Sequence, residues 1–317
     1  MWSIILEGIM QDLVSISGSV NPSNSYFIRR YSGTTPFTKR LHRVQFDTPL
    51  QGGSVLWVQI PNQGDILTEI YLDMVPSPDT VFDRIELFCG RQILERHYME
   101  VRTIEEQLTV PAALRRAFQG GVYPLHLTFP IPLVTLTNQD IRLRLICKQT
   151  APTDQLGTAS LLCNYVYLST PEQSWFKSRP FDVLFTQVQL HEENNITDGS
   201  VFTNFINPCK EFYFTKFDEL QILLNGIEQV PNMSWKFYRS LVPVDFHTRV
   251  PEGNFGVYSF SLYPEKKDPS GSLNIGLIQN QQFRVKGAQL PFRIYALTYN
   301  IVRFENGSAR VLFNNLQ

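Results

Sequence analysis

The sequence predicts an all-β protein made of two successive antiparallel β-sandwiches joined by a short linker. Apolar residues recur mostly with a period of two, and short runs rich in β-branched and aromatic residues alternate with Pro, Gly, Asn and Asp. The pattern breaks once, near the middle of the chain. With 317 residues, the chain is long enough for two domains that each bury a core.

The strand pattern occurs in both halves of the chain. In the first half it covers residues 54–60, 65–74, 84–88, 126–136, 141–148 and 159–168. In the second half it covers residues 182–190, 200–204, 211–217, 220–224, 257–262, 282–286, 293–304 and 309–313. We therefore predict about six to eight short strands in each half.

Two interruptions have helical features. Thr103 and Glu106 have the spacing of a capping box, and Pro111 introduces a run with good helix formers that ends at Gly120-Gly121. Residues 232–241 are the second candidate, with Asn232 as the N-cap. In this second helix, we expect Trp235, Tyr238 and Leu241 to share one face.

The domain boundaries follow from the break in the strand pattern. We predict an N-terminal arm over 1–21, a first sandwich over 22–170, a linker over 171–180 and a second sandwich over 181–317. Each half also has a strand that ends in a glycine turn, at Gly90 and at Gly226. This spacing is a repeat signal that matches the two halves.

Composition excludes several classes of protein. The formal net charge is −1, so a protein that coats a polyanion over its whole surface is not expected. Only 18% of residues are charged and 13% are aromatic, as expected if much of the surface contacts other protein. No apolar run reaches the roughly 18 residues of a membrane-spanning helix. Residues 1–17 contain no Lys or Arg, which argues against a signal peptide and favours a packed terminal arm.

No catalytic or metal-binding motif is present, and we expect no cofactor. His191, Glu192 and Glu193 form the densest cluster of potential ligands, but we interpret them as a solvated turn. Asp245, His247 and Arg249 alternate along a segment predicted to be extended, where a hydrogen-bonded row is favoured over acid–base chemistry. The four cysteines are far apart, and buried free thiols are expected.

One basic stretch stands out because no acid occurs between residues 22 and 45. Its cations, with one histidine among them, are Arg29, Arg30, Lys39, Arg40, His42 and Arg43. Aromatic residues interleave with these side chains, so the stretch could neutralise a few phosphates. A solvated strand edge is the other interpretation, since Lys and Arg also block unwanted strand pairing.

Several blocks resemble one known family in their order along the chain. In the first half they are 24–31 (NSYFIRRY) and 84–95 (RIELFCGRQILE), and in the second half 220–226 (LQILLNG), 246–251 (FHTRVP), 269–274 (PSGSLN) and 295–303 (YALTYNIVR). The set is similar to the double jelly-roll major capsid proteins of large eukaryotic DNA viruses and their smaller relatives. The chain departs from the family after Asn274, and its loops look short.

The resemblance implies two tandem eight-stranded antiparallel jelly rolls with short helical insertions. It implies a structural, non-enzymatic protein of the virion whose homotrimers form pseudo-hexagonal capsomers that tile an icosahedral shell. The implied partners are neighbouring capsomers, minor capsid proteins, an internal membrane or the genome, and no small-molecule substrate. Arg29, Arg30, Lys39, Arg40 and Arg43 would then face the interior of the shell, toward nucleic acid or membrane.

Other functions remain open at this point. The same fold also serves a minor capsomer subunit or an assembly scaffold. A lectin-like sandwich would use exposed aromatics, for which Trp57, Trp175 and Trp235 are the candidates. A metal-dependent jelly-roll enzyme of the cupin type is disfavoured by the scattered histidines.

Overall fold

The structure is a computed structural model that describes residues 36–46, 49–117, 121–151, 159–196 and 198–313. Contacts divide the chain into the units Met1–Pro36 and Phe37–Gln317, and every element described lies in the second unit. The start of the predicted first sandwich, residues 22–35, therefore lies outside the described residues, together with Arg29 and Arg30.

Among the described residues, eight strands precede residue 170. They are β1 (Thr38–Gln45), β2 (Val55–Ile60), β3 (Ile66–Met74), β4 (Phe82–Cys89), β5 (Gln92–Tyr98), β6 (Gly121–Pro124), β7 (Ile141–Cys147) and β8 (Ser160–Tyr167). Helices α1 (Pro78–Val81), α2 (Met99–Thr109) and α3 (Ala112–Ala117) are inserted between them, and α4 (Thr170–Ser178) follows.

The described part of the second half contains ten strands. They are β9 (Phe181–Glu193), β10 (Ser200–Thr203), β11 (Pro208–Thr215), β12 (Glu219–Leu224), β13 (Ile227–Ser234), β14 (Phe255–Ser259), β15 (Leu273–Asn274), β16 (Gln281–Lys286), β17 (Phe292–Glu305) and β18 (Ser308–Val311). A helical segment follows β13. It contains a π-helical turn, Phe237–Leu241, that continues directly into helix α5 (Val242–Phe246).

The strands form four antiparallel sheets. Sheet 1A has the order β1-β8-β3-β6, and sheet 1B the order β2-β7-β4-β5. Sheet 2A has the order β14-β11-β17-β9, with the short β15 and β18 added to it, and sheet 2B the order β10-β16-β12-β13.

The two halves have the same strand order. Leaving β15 and β18 aside, the first, eighth, third and sixth strands of each half form one sheet, and the second, seventh, fourth and fifth strands form the other. This is the jelly-roll order, and it occurs twice, so the predicted all-β fold of two tandem eight-stranded jelly rolls is confirmed. The two glycine turns also correspond, because Gly90 joins β4 to β5 and Gly226 joins β12 to β13. Both glycines have a positive φ, which an L side chain rarely adopts.

Each sandwich buries an apolar core between its sheets. Leu72 and Tyr165 of sheet 1A face Leu87 and Leu143 of sheet 1B in the first core. The second core is dominated by phenylalanine, with Phe212 of sheet 2A packed edge-on against Phe283 of sheet 2B. The four cysteines are buried free thiols, as predicted.

The predicted strand over 126–136 is wrong. Pro130 and Pro132 lack the N–H groups that a ladder requires, and only Ile131 makes a bridge, to Leu67. The alternating apolar side chains of this segment still fill the core, which explains the strand-like pattern. The paired strand β6 lies earlier, at Gly121–Pro124.

Both predicted helix caps are wrong. Helix α2 begins four residues before Thr103, whose hydroxyl donates to the Met99 carbonyl at 3.0 Å from inside the helix. Asn232 lies in β13 and donates to Glu219 at 2.7 Å, so the second helical segment begins only after Ser234. Tyr238 is buried as expected, but Leu241 is exposed.

The segment predicted as a linker forms helix α4. The carboxylate of Glu172 accepts hydrogen bonds from the Ser169 backbone N–H at 3.2 Å and from the Ser169 hydroxyl at 3.0 Å. This is the capping box of the helix. The two sets of jelly-roll strands lie on either side of it in sequence, and the boundaries 1–21, 22–170, 171–180 and 181–317 stay predictions.

Candidate assembly surfaces

The basic strand β1 lies at an edge of sheet 1A, where it pairs with β8. Lys39 and Arg40 are exposed. Arg43 is engaged by its own sheet, because its guanidinium donates to Asp73 and, at 2.9 Å, to the Ser160 hydroxyl. Of the five predicted cations, the structure therefore brings Lys39, Arg40 and Arg43 together on one exposed edge strand. Sequence reasoning did not single out the ion pair that occupies Arg43.

A buried carboxylate lies at the centre of sheet 1B. Glu86 of β4 is fully buried, and its carboxylate contacts Arg84 at 3.0 Å, Arg96 at 3.2 Å and also Arg144. A transverse row of paired residues crosses strands β2, β7, β4 and β5 in that order and consists of Trp57, Arg144, Glu86 and Arg96. Arg144 also lies over the ring of Trp57 at 5.5 Å. This row links all four strands of the sheet electrostatically, and the sequence analysis missed it.

A second buried charged group joins the end of the second helical insertion to sheet 2A. The ring of His247 lies between Glu211 of β11 and Glu265, with both nitrogen–oxygen distances at 3.3 Å. Burial opposes ionisation of Glu211, but Lys210, His247 and the Tyr213 hydroxyl outweigh it and lower the pKa of this carboxyl. Across the described parts of the chain, no group of three or more His, Cys, Asp or Glu side chains is arranged to hold a metal ion.

The polar clusters singled out in the sequence are arranged differently from expectation. His191, Glu192 and Glu193 form the end of strand β9, not a turn, and Glu192 pairs with Arg293 at 2.7 Å. Asp245 lies in helix α5, whereas His247 lies beyond its end and is buried, so Asp245, His247 and Arg249 do not form a row on an extended segment. The helical turn separates these side chains, which removes the geometric basis for the predicted row.

The three tryptophans proposed for a lectin-like site lie on three different elements. Trp57 is on β2 and packs against Phe88, with ring centroids 5.0 Å apart. Trp175 is on α4 beside Phe176, and Trp235 packs on Phe217 at 5.0 Å. Each ring has a packing partner in its own region. These contacts give the three rings no shared platform on which a sugar could stack.

The two sandwiches are joined by a buried apolar junction. Helix α2 of the first sandwich packs Val101, Ile104 and Leu108 against Tyr295 and Leu297 of sheet 2A. The core of the first sandwich also takes in Phe185, Val302, Phe304 and Ala309 from the second half. The junction is therefore continuous with a hydrophobic core.

Polar contacts fix the relative position of the sandwiches. The Gln187 side chain of β9 donates to the Leu94 carbonyl of β5 at 2.9 Å. At the same junction, Arg293 pairs with Glu100 of α2 at 3.0 Å. Strand β5 and helix α2 of the first sandwich thus contact strand β9 and the outer face of sheet 2A in the second sandwich.

Several large apolar side chains remain exposed on the strands and insertions. Edge strands β2 and β10 hold the same place in their sandwiches, and each presents an exposed aromatic ring, Trp57 and Phe202. Leu41 and Val122 are exposed on sheet 1A, and Leu241 and Val244 on the helical segment after β13. Such surface suits contact with other protein. No helix in the described residues has the length and apolar character needed to cross a membrane.

Comparison with known proteins identifies relatives of this architecture. A family model described as the large eukaryotic DNA virus major capsid protein matches residues 178–310. The major capsid protein of Pyramimonas orientalis virus is 23% identical over 94% of this chain and 96% of that protein. The major capsid protein of Paramecium bursaria Chlorella virus 1 is 19% identical over 82% of each.

Solved structures share the fold at low sequence identity. VP54 of PBCV-1 has a TM-score of 0.80 over 92% of this chain and 100% of that one, at 17% identity. The Faustovirus major capsid protein has a TM-score of 0.73 over 95% and 98% of the two chains, at 9% identity. The chain thus shares the double jelly-roll fold of these solved structures, and its second half matches the family model of the large eukaryotic DNA virus major capsid protein.

Proposed function

We propose that this chain is a structural subunit of a virion capsid and that three copies form a pseudo-hexagonal capsomer. The observation that carries the proposal is the repeated strand order of two sandwiches joined side by side by a buried junction. Three such chains present six similar sandwiches around a threefold axis, and capsomers of this shape tile an icosahedral shell.

The surface chemistry supports a role in assembly. Exposed apolar and aromatic side chains occur on strand edges and on the helical insertions, away from the two cores. An interface between subunits needs such side chains at its centre and polar groups around them. We assign the chain no catalytic activity, no cofactor and no small-molecule substrate. Its partners are other copies of itself and neighbouring capsomers.

The mass of the purified protein in solution tests the proposal. We expect a species with three times the mass of one chain, measured by light scattering over a concentration series. A protein that stays monomeric at the highest concentration would count against the capsomer. A three-chain species that forms no larger array would instead favour the minor capsomer or scaffold role of the same fold.

The basic stretch is a separate proposal about the interior of the shell. Lys39 and Arg40 are exposed on the edge strand β1, where they are accessible to phosphate groups of nucleic acid or of a membrane. The test is binding of DNA and of anionic vesicles across a salt series, with Arg29, Arg30, Lys39, Arg40 and Arg43 changed to Gln. Binding that is independent of salt, or unchanged in the variant, rejects this contact.

A further inference from the structure

The junction inside one chain pairs a helical insertion with the outer face of a sheet in the neighbouring sandwich. Helix α2 follows the fifth strand of the first sandwich and covers the outer face of sheet 2A. Val101, Ile104 and Leu108 have the spacing i, i+3, i+7 and are all buried in this contact. The outer face of one sheet is thus covered by the helical insertion of the sandwich beside it.

The second sandwich has an insertion in the same place. Residues 235–246 follow the fifth strand β13, as α2 follows β5. Phe237, Leu241 and Val244 have the spacing i, i+4, i+7 near one face of this segment. Leu241 is 53% exposed and Val244 is 63% exposed, whereas their counterparts on α2 are buried. Phe237 is half-buried against the second core, so the second insertion has an apolar stripe of two residues, Leu241 and Val244, that the described part of its own chain does not cover.

Sheet 1A has an outer face that corresponds to the covered face of sheet 2A. On this outer face, Leu41 is 54% exposed and Val122 is 42% exposed, and half-buried Tyr71 and Leu162 lie between their strands. Among the described residues, neither the second insertion nor the outer face of sheet 1A makes the contact that its equivalent makes at the junction.

The strand edges that flank these surfaces have complementary charge. At the junction inside the chain, β5 lies against β9, the first strand of the second sandwich. The equivalent pair between chains is β13 and β1. Strand β13 carries Glu228 and no Lys or Arg, whereas β1 carries no acid and presents Lys39 and Arg40, its third cation Arg43 being paired with Asp73.

We propose that the apolar stripe of Leu241 and Val244 of one copy packs on the outer face of sheet 1A of a second copy, around Leu41 and Val122. This inference rests on the proposed three-chain ring and specifies its contact. The contact is head-to-tail, and a head-to-tail contact closes a ring when its rotation matches the symmetry. Repeating the geometry of the internal junction three times between chains gives six junctions in one ring.

Charge substitutions in the stripe test the contact. The double variant Leu241→Glu, Val244→Glu places two carboxylates in a surface that becomes desolvated on assembly. We expect the dissociation constant of the three-chain species to rise at least about tenfold, since each 1.4 kcal/mol of lost contact free energy accounts for a factor of ten. Because both side chains are exposed in the single chain, the melting temperature of the monomer is expected to change little.

The matched control is Leu277→Glu, the same substitution at a leucine that is 76% exposed and lies outside both surfaces. It is expected to leave the three-chain species intact. If the stripe variant also keeps the mass of three chains, the proposed contact is wrong and the ring stands. If the unsubstituted protein is already monomeric, the proposed function itself fails.

A mixing experiment identifies the partner surface. A chain with Leu41→Cys and a chain with Leu241→Cys are mixed, dissociated and reassembled, and then treated with a flexible bis-maleimide. A linked pair that forms only in the mixture joins two different copies, because the four native cysteines are buried. Absence of this product, including the case in which residues 1–35 occupy the sheet face instead, contradicts the proposal.

Discussion

Single side chains set how the stability of this protein responds to pH. Glu105 lies on α2 at the junction between the sandwiches, near Lys210 and Glu211 of β11. Burial raises the pKa of Glu105 to about 7, with Lys210 opposing this shift and Glu211 adding to it. The folded protein thus holds a proton that the unfolded chain releases near its ordinary pKa of 4.5.

Glu105→Gln is therefore expected to change the pH dependence of unfolding. The raised pKa contributes stability that is fully present below pH 4.5 and is lost as the pH rises through about 7. The variant should gain melting temperature relative to the unsubstituted protein above pH 7 and gain less below pH 5. Thermal unfolding across this range measures the difference. An equal change in melting temperature at every pH, or the same pH dependence in the control Glu106→Gln, would contradict the raised pKa of Glu105.

Glu86 is the second residue with a large expected effect. Its removal leaves Arg84, Arg96 and Arg144 without the carboxylate that they share. Because the arginines are partly exposed, we expect Glu86→Ala to cost about 3 kcal/mol of unfolding free energy, at the lower end for breaking a buried ion pair. Urea denaturation measures this loss of unfolding free energy. Glu305→Ala, which removes a half-exposed partner of Arg310, is the control and should have little effect.

At the scale of elements, the sequence predicted strands better than helix ends. Strands with alternating burial, such as β2 and β7, were predicted almost to the residue because one face meets the core. The segment 126–136 has the same alternation but is held by packing, since its prolines cannot join a ladder. Hydrophobic periodicity reports which side chains are buried, and it does not report how the backbone is hydrogen-bonded.

The helix caps show why local sequence motifs do not by themselves locate the start of a helix. Thr103 and Glu106 match a capping box, but the chain turns into a helix directly from β5 because Met99 and Val101 are drawn into the cores. The capping box that does form, at Ser169 and Glu172, lay in a segment interpreted as a linker. The surfaces proposed for assembly were not predictable either, because exposure of Leu41 or Leu241 depends on which faces the neighbouring sandwich covers.

The junction helix is expected to be one of the most sensitive elements. Ile104 is buried between α2 and sheet 2A, and Ile104→Ala removes apolar contacts and leaves a cavity. We expect a loss of about 3 kcal/mol in unfolding free energy, within the usual range for this substitution in a core. Leu114→Ala, on the exposed side of the neighbouring helix α3, serves as the control. Equal effects of the two substitutions would show that the junction contributes little.

At the scale of the whole molecule, the two sandwiches are expected to unfold together. Phe185 and Phe304 of the second half lie in the core of the first, where Phe129 packs between them at 5.5 and 6.4 Å. Neither half can then unfold without exposing the core of the other. Calorimetry should show one transition whose calorimetric and van't Hoff enthalpies agree. Two resolved transitions would mean that the junction is weaker than its packing suggests.

The assembled oligomer gives the most direct view of the central claim. Electron microscopy of the purified particle, viewed down its axis, should reveal six lobes of similar size arranged as three pairs. Within each pair the lobes should match the two sandwiches of one chain. A particle with another number of lobes, or with pairs related by a twofold axis, would contradict the capsomer.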